Sequence, residues 1–276
     1  MPWTEHQHAV LRAMGLRVWA PVAAEVEFAV SGAVTAEPRA EPSAPPAPAV
    51  APPMPRLTTA AVPSNAPPPA ATDATAVQTL DWPALRTAVA ECRACSLCES
   101  RRQTVFGVGA ERAHWMVVGE APGEQEDRRG EPFVGPAGQL LDRMLAALGL
   151  SRDGAGDDPA RHVYIANTLK CRPPGNRNPA PEELARCEPF LQRQIALVQP
   201  RIILAMGRFA VQALLRTDAP IGKLRGQVHR YQGVPLVVTY HPAYLLRNLP
   251  DKAKAWADLC LAADTAAAAG APVSPS

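Results

Sequence analysis

Four short apolar runs punctuate the chain after residue 113: HWMVVGE (114–120), HVYIANTLK (162–170), RIILAMG (201–207) and VPLVVTYHP (234–242). Each is nearly unbroken rather than alternating, which is how strands buried on both faces of a parallel sheet read. The segments between them carry a helical period. In AGQLLDRMLAALGL (137–150), Leu140, Leu141, Met144, Leu145 and Leu148 share one face, and Gly149 ends the run. Residues 181–199 open with a proline and two glutamates, as the N-terminus of a helix favours, and 207–215 and 251–267 complete the set. Strands alternating with helices predict a three-layer αβα fold around a central four-stranded parallel sheet. Ligands of such sheets bind outside the carboxyl ends of the strands. Here those ends are Gly119-Glu120, Asn167, Gly207 and Tyr240-His241, so an acid, an amide and an imidazole are expected on one rim.

Composition changes the picture at the N-terminus. Twelve of the 31 prolines fall between Pro38 and Pro69, in a stretch that is mostly Ala and Pro. Such a stretch has too few large apolar side chains to offset the entropy of ordering. The expected organisation is a short helical peptide at 1–20, a disordered linker at 21–81, the compact domain at 82–265 and a disordered tail at 266–276. No run of about twenty apolar residues marks a membrane span. Histidines, Glu5 and Arg12 interrupt the N-terminus where a signal peptide would be continuously apolar, so a cytoplasmic protein is expected. The net charge of +2 neither demands nor excludes nucleic acid.

Three groups of residues carry candidate chemistry. In GEAPGEQEDRRGEPFVGPAG (119–138), Gly119, Pro122 and Gly123 would turn the chain so that backbone amides face a ligand. Glu120 could hold a water or a polar base edge, and Phe133 could stack on a flat heterocycle, although core packing is an equal alternative for that ring. In YHPAYLLRN (240–248), His241 at a strand end could donate a hydrogen bond to a developing anion. Leu245 and Leu246, beside Arg247, would suit a wedge that enters a base stack while the cation holds a phosphate. The third group is thiol-based. Cys92, Cys95 and Cys98 form a CxxCxxC, and Cys171 and Cys187 lie sixteen residues apart. Cys92, Cys95, Cys171 and Cys187 could close one four-thiolate site, leaving Cys98 spare and Cys260 a buried hydrophobe; spacing does not separate zinc from iron-sulfur. Lys170, Arg172, Arg177 and Arg186 surround this group and suggest a phosphate-facing surface.

Taken together, GEAPGEQED, GEPFVGPAGQLL, KCRPPGNRNP and HPAYLLRN resemble the motifs of the family 4 uracil-DNA glycosylases, over about 82–265. The resemblance implies the uracil-DNA glycosylase fold and a 4Fe-4S cluster on Cys92, Cys95, Cys171 and Cys187. It implies Glu120 and His241 as catalytic residues, with Gly119, Ala121, Phe133 and Asn167 binding uracil. It also implies Leu245, Leu246 and Arg247 as DNA contacts. The expected activity is removal of uracil from single- or double-stranded DNA by a monomer at a bacterial nucleoid, away from any membrane. The N-terminal peptide would be free to meet a replication or repair protein. The alternative is a metal-stabilised DNA-binding module that cleaves nothing. Two departures from the family stand out: Leu249 is interposed in RNLP where RNP is usual, and the first eighty residues have no counterpart in its compact members. KCRPPGNRNP lacks the added basic segment, ending in histidine, of a related family that bonds covalently to DNA, so no covalent adduct is expected.

Overall fold

The computed structural model describes residues 74–153 and 158–270. The expected N-terminal peptide, most of the linker and the last six residues lie outside that range. The described chain starts earlier than the boundary set at 82. Ala74–Val77 is a short helix whose Val77 is buried, and Leu80 packs beside it. Asp81 then starts the next helix, Trp82–Glu91, its carboxylate accepting from Ala84 N at 3.0 Å, with Pro83 in the first turn.

Six strands form one sheet: β1 (Val108–Gly109), β2 (Trp115–Gly119), β3 (Val163–Asn167), β4 (Ile202–Met206), β5 (Val228–Tyr231) and β6 (Val234–Thr239), in the order β1-β3-β2-β4-β6-β5. The inner four are parallel, as expected. The strand count is corrected from four to six by two antiparallel edges, β1 on β3 and β5 on β6. Both edges evade the hydrophobic pattern for physical reasons. β1 is two residues long, and an added Cβ on Gly109 would lie 2.0 Å from the Val163 carbonyl oxygen. β5 reads VHRY, because an edge strand leaves one face to solvent.

Side-chain parity divides the core into two apolar layers. Trp115, Val117 and Ile165 face the helices Pro136–Ala147 and Asp251–Gly270 through Leu141, Met144, Trp256 and Leu259. Met116, Val118 and Ala166 face the helices Pro181–Val198 and Arg208–Leu215 through Leu191, Ile195, Val211 and Leu214. This is the predicted three-layer arrangement. The final helix runs to Gly270, five residues beyond the expected end of the domain. A third cluster, with Val89, Leu97, Phe106, Leu169 and Phe190, wraps around the cysteines. Among the described residues no helix is long and apolar enough to cross a membrane.

Candidate active site and thiol cavity

The parallel register puts the strand ends side by side, with Gly119 opposite Asn167 and Met206 opposite Thr239. Glu120, Ala121, Phe133, Asn167 and His241 consequently line one solvent-open pocket, with about 650 Å³ of empty space. Gly119 lies beneath it. A Cβ at this position would sit 2.5 Å from Asn167 Oδ1 and 2.6 Å from Phe133 Cζ, so only glycine lets the amide and the ring approach. The expected substrate-binding and catalytic side chains are thus brought together.

Each wall has a structural cause. Phe133 is buried and has a left-handed backbone, φ 55°, a conformation that costs a non-glycine residue energy and needs support from its surroundings. Glu126 provides that support. Its carboxylate accepts from Val134 N at 2.9 Å, Gly135 N at 3.0 Å and Gly123 N at 3.1 Å, clamping the turn after β2 to the Phe133 loop. Among the acids of this turn, Glu126 is the one whose spacing from Gly123 is that of a helix capping box, a signal legible in the sequence that points to this clamp. Glu124 is the solvated member, pairing with Arg128 and Arg172, while Asp127 is buried and accepts from Arg102 N.

His241 stacks on Phe133, with ring centroids 5.4 Å apart and planes 26° apart. Its Nδ1 accepts from Ala243 N at 3.2 Å, which leaves the proton on Nε2. Burial pulls the imidazole down to about 4, so at neutral pH the ring is an uncharged donor. Burial pushes the Glu120 carboxyl up, partly opposed by the Arg208 guanidinium. Asn167 is buried, and its Oδ1 has no hydrogen-bond partner. A buried acceptor left unpaired is costly and marks a position where a ligand donor fits.

The loop after His241 corrects one expectation. Leu245, the last residue of the short helix Pro242–Leu245, is fully buried in the core and cannot be a wedge. The exposed large apolar side chains of this loop are Leu246 and Leu249, with exposed Arg247 between them. Tyr244 braces the loop, stacking on Tyr240 at 5.0 Å and donating its hydroxyl to Asp251 at 2.7 Å.

A second cavity is lined by Cys92, Cys95, Cys98, Cys171 and Cys187. Arg101 Nη1 donates to Cys171 Sγ at 3.0 Å, and Lys170 N donates to Cys187 Sγ at 3.2 Å. Burial pushes the Cys171 thiol up to about 11 and the Cys187 thiol up to about 12, so an electropositive ligand is needed to hold either as thiolate. No group of three or more His, Cys, Asp or Glu among the described residues closes on a single ion. A cluster of four irons takes one thiolate at each iron and needs its cysteines spread around a cavity, not converging on a point. Cys260, expected to be buried, is only partly so, packing from the last helix against the core. Lys170, expected at a phosphate-facing surface, is instead 1% exposed. Arg172, Arg177 and Arg186 remain at or near the surface, with Arg177 paired to Glu183.

An α/β sheet that gathers an acid, an aromatic ring, an amide and an imidazole at the carboxyl ends of its strands has the ligand-binding rim of an α/β enzyme. Comparison with known proteins narrows it. The profile of the Uracil DNA glycosylase superfamily matches residues 106–260. The Type-4 uracil-DNA glycosylase of Archaeoglobus fulgidus is 42% identical over 166 residues, 57% of this chain and 79% of that protein. Those of Pyrobaculum aerophilum (41% over 179 residues, 61% and 86%) and Thermotoga maritima (42% over 162 residues, 58% and 80%) are similarly related. The chain belongs to the type-4 uracil-DNA glycosylases of this superfamily.

Proposed function

We propose that this chain excises uracil from DNA, extruding the nucleotide and hydrolysing its N-glycosidic bond to leave an abasic site for repair. The observation that carries this reading is Asn167, buried with an unpartnered Oδ1, in the lining of the pocket that Phe133 and His241 also line. An acceptor there matches the N3–H of uracil, and the amide nitrogen can donate to O4. Cytosine presents a lone pair where uracil has N3–H and leaves the acceptor unpaired, an effective basis for rejection.

In the chemical step, electron density from the breaking C1′–N1 bond collects on the base. The neutral His241 donates through Nε2–H to the growing charge on O2, assisted by backbone amides of the Gly119–Ala121 turn; fixed donors of this kind supply about 3–4 kcal/mol each. Phe133 holds the ring flat. Glu120 positions the water that attacks the cationic sugar, and the hydroxyl ends on C1′ while its proton leaves to solvent or to the carboxylate.

Extrusion costs a few kcal/mol. Leu246 fills the vacated stack, Arg247 holds a phosphate, and Leu249, interposed in this chain, extends the apolar edge.

Cys92, Cys95, Cys171 and Cys187 would hold a 4Fe-4S cluster, and Cys98 stands by as a fifth thiol. The donor set fits: soft thiols around a cavity that also carries Arg101 and Lys170. The cluster would tie the segment after Glu91 to the chain following β3. The protein would act as a monomer on single- or double-stranded DNA at a cytoplasmic nucleoid, with residues 1–20, at the end of an Ala/Pro linker, meeting a replication or repair protein.

The deciding experiment incubates the full chain with a uracil-containing oligonucleotide and with its thymine counterpart, then treats both with alkali. Strand breaks confined to the uracil position are expected. Tight binding without breaks would leave the DNA-binding module as the better reading.

A further inference from the structure

Lys170 occupies an environment that its catalytic neighbours do not require. It is 1% exposed, and among the described residues its ammonium meets no carboxylate. Nζ donates to the Asn167 carbonyl oxygen at 2.8 Å and to Gln194 Oε1 at 2.6 Å. Gln194 is itself fixed: its Nε2 donates to the Phe106 carbonyl at 2.9 Å and to the Tyr164 hydroxyl at 3.1 Å, so the amide oxygen must face the lysine. Two neutral dipoles are poor compensation for a buried full charge. A neutral side chain could hold the same two acceptors without that desolvation cost.

The missing compensation lies on the other side. Lys170 lines the thiol cavity, precedes Cys171 directly in the chain, and donates its own backbone N–H to Cys187 Sγ. Four cysteine thiolates together carry more negative charge than an iron-sulfur core carries positive, so the assembled group is anionic. The same five-residue strap reaches the uracil rim. Thr168 N donates to Gly119 O at 3.0 Å, the Thr168 hydroxyl and Leu169 N donate to Glu120 O, and Asn167 begins the strap as Cys171 ends it.

Building on the cluster assignment above, we infer that the Lys170 ammonium is the buried counter-charge of the cluster and, through the Asn167 carbonyl, the strut that fixes the uracil-reading amide. The thiol cavity then does more than hold the N-terminal segment. It supplies the charge that makes an ammonium tolerable directly behind the base pocket. Lys170 touches neither base nor sugar and is a positioning residue.

The test uses the full iron-loaded chain as wild type, Lys170→Met and Gln194→Glu. Removing the cation should shift the cluster's reduction midpoint to more negative values and accelerate bleaching by a chelator. In the same variant, kcat for uracil should fall by at least about tenfold with KM for DNA little changed, the pattern of a misplaced reacting group. Gln194→Glu has the wild-type shape and sets a carboxylate against the ammonium, so it should move the midpoint in the same direction even if Lys170→Met does not fold. Unshifted midpoints in an iron-bearing protein overturn the counter-charge, and an unchanged kcat overturns the strut. A wild-type chain that holds no iron sinks the cofactor reading beneath this inference and the inference with it. An iron-bearing wild type that leaves uracil in place sinks the activity alone, and the midpoint still decides the counter-charge.

Discussion

The rim pocket and the thiol cavity are built by opposite means. The pocket sits on the carboxyl ends of parallel strands, is open to solvent, and takes its precision from backbone: a glycine that lets two side chains approach, a left-handed phenylalanine, and a carboxylate accepting three amides. The cavity is formed by loops, the end of the helix Trp82–Glu91 and the interior of the helix Pro181–Val198, and is lined by thiols and apolar side chains. A site that must discriminate one base from another needs donors and acceptors fixed to fractions of an ångström. A site that holds an inorganic group needs soft ligands and exclusion of water, and the group itself supplies the geometry. The pocket should therefore fail by losing rate, and the cavity by losing the fold around it.

The largest effect tests the cavity. Cys171→Ala should strip the iron and greatly reduce soluble folded protein, measured as colour, iron content and yield. A folded, colourless and fully active variant would show that the cavity is dispensable. Next comes the pocket: His241→Ala should lower kcat by on the order of 10²–10³-fold, the usual loss of one charge-stabilising donor. Losing the stack on Phe133 and the acceptor for Ala243 N should also cost about 1 kcal/mol of stability at neutral pH, where burial depresses the titration of the ring and keeps it uncharged. That same depression fixes a sign in pH. The folded imidazole titrates near 4 and the free one near 6.5. The unfolded chain thus binds the proton first, and stability is fully present above about 6.5 and declines as pH falls toward 4. His241→Asn should flatten that part of a stability-against-pH curve measured by denaturant unfolding.

Glu126→Gln is expected to be intermediate. Losing charge-assisted bonds to three amides should cost about 2 kcal/mol and loosen Phe133, raising KM and lowering kcat together. Unchanged kinetics would mean that the Phe133 loop holds itself. The smallest effect is expected from Leu249→Ala, a few-fold loss confined to double-stranded substrate, because single strands have no continuous stack to fill. Equal losses on both substrates would place Leu249 outside the wedge.

The sequence alone determined the four inner strands, because each is buried on both faces and must be apolar throughout, and with them the rim that gathers Glu120, Asn167 and His241. It also isolated the cysteines, whose chemistry shows in their spacing. Tertiary structure decided what depends on neighbours distant along the chain. The edge strands carry no continuous apolar run, so only their pairing reveals them. Adjacent leucines read alike until packing buries Leu245 and leaves Leu246 in solvent. Lys170, in an arginine-rich stretch, reads as a surface cation, yet the path of the chain from Asn167 to Cys171 turns it inward. Local pattern reports how much of an element is buried; which individual side chain meets water is settled only when elements far apart in sequence close over it.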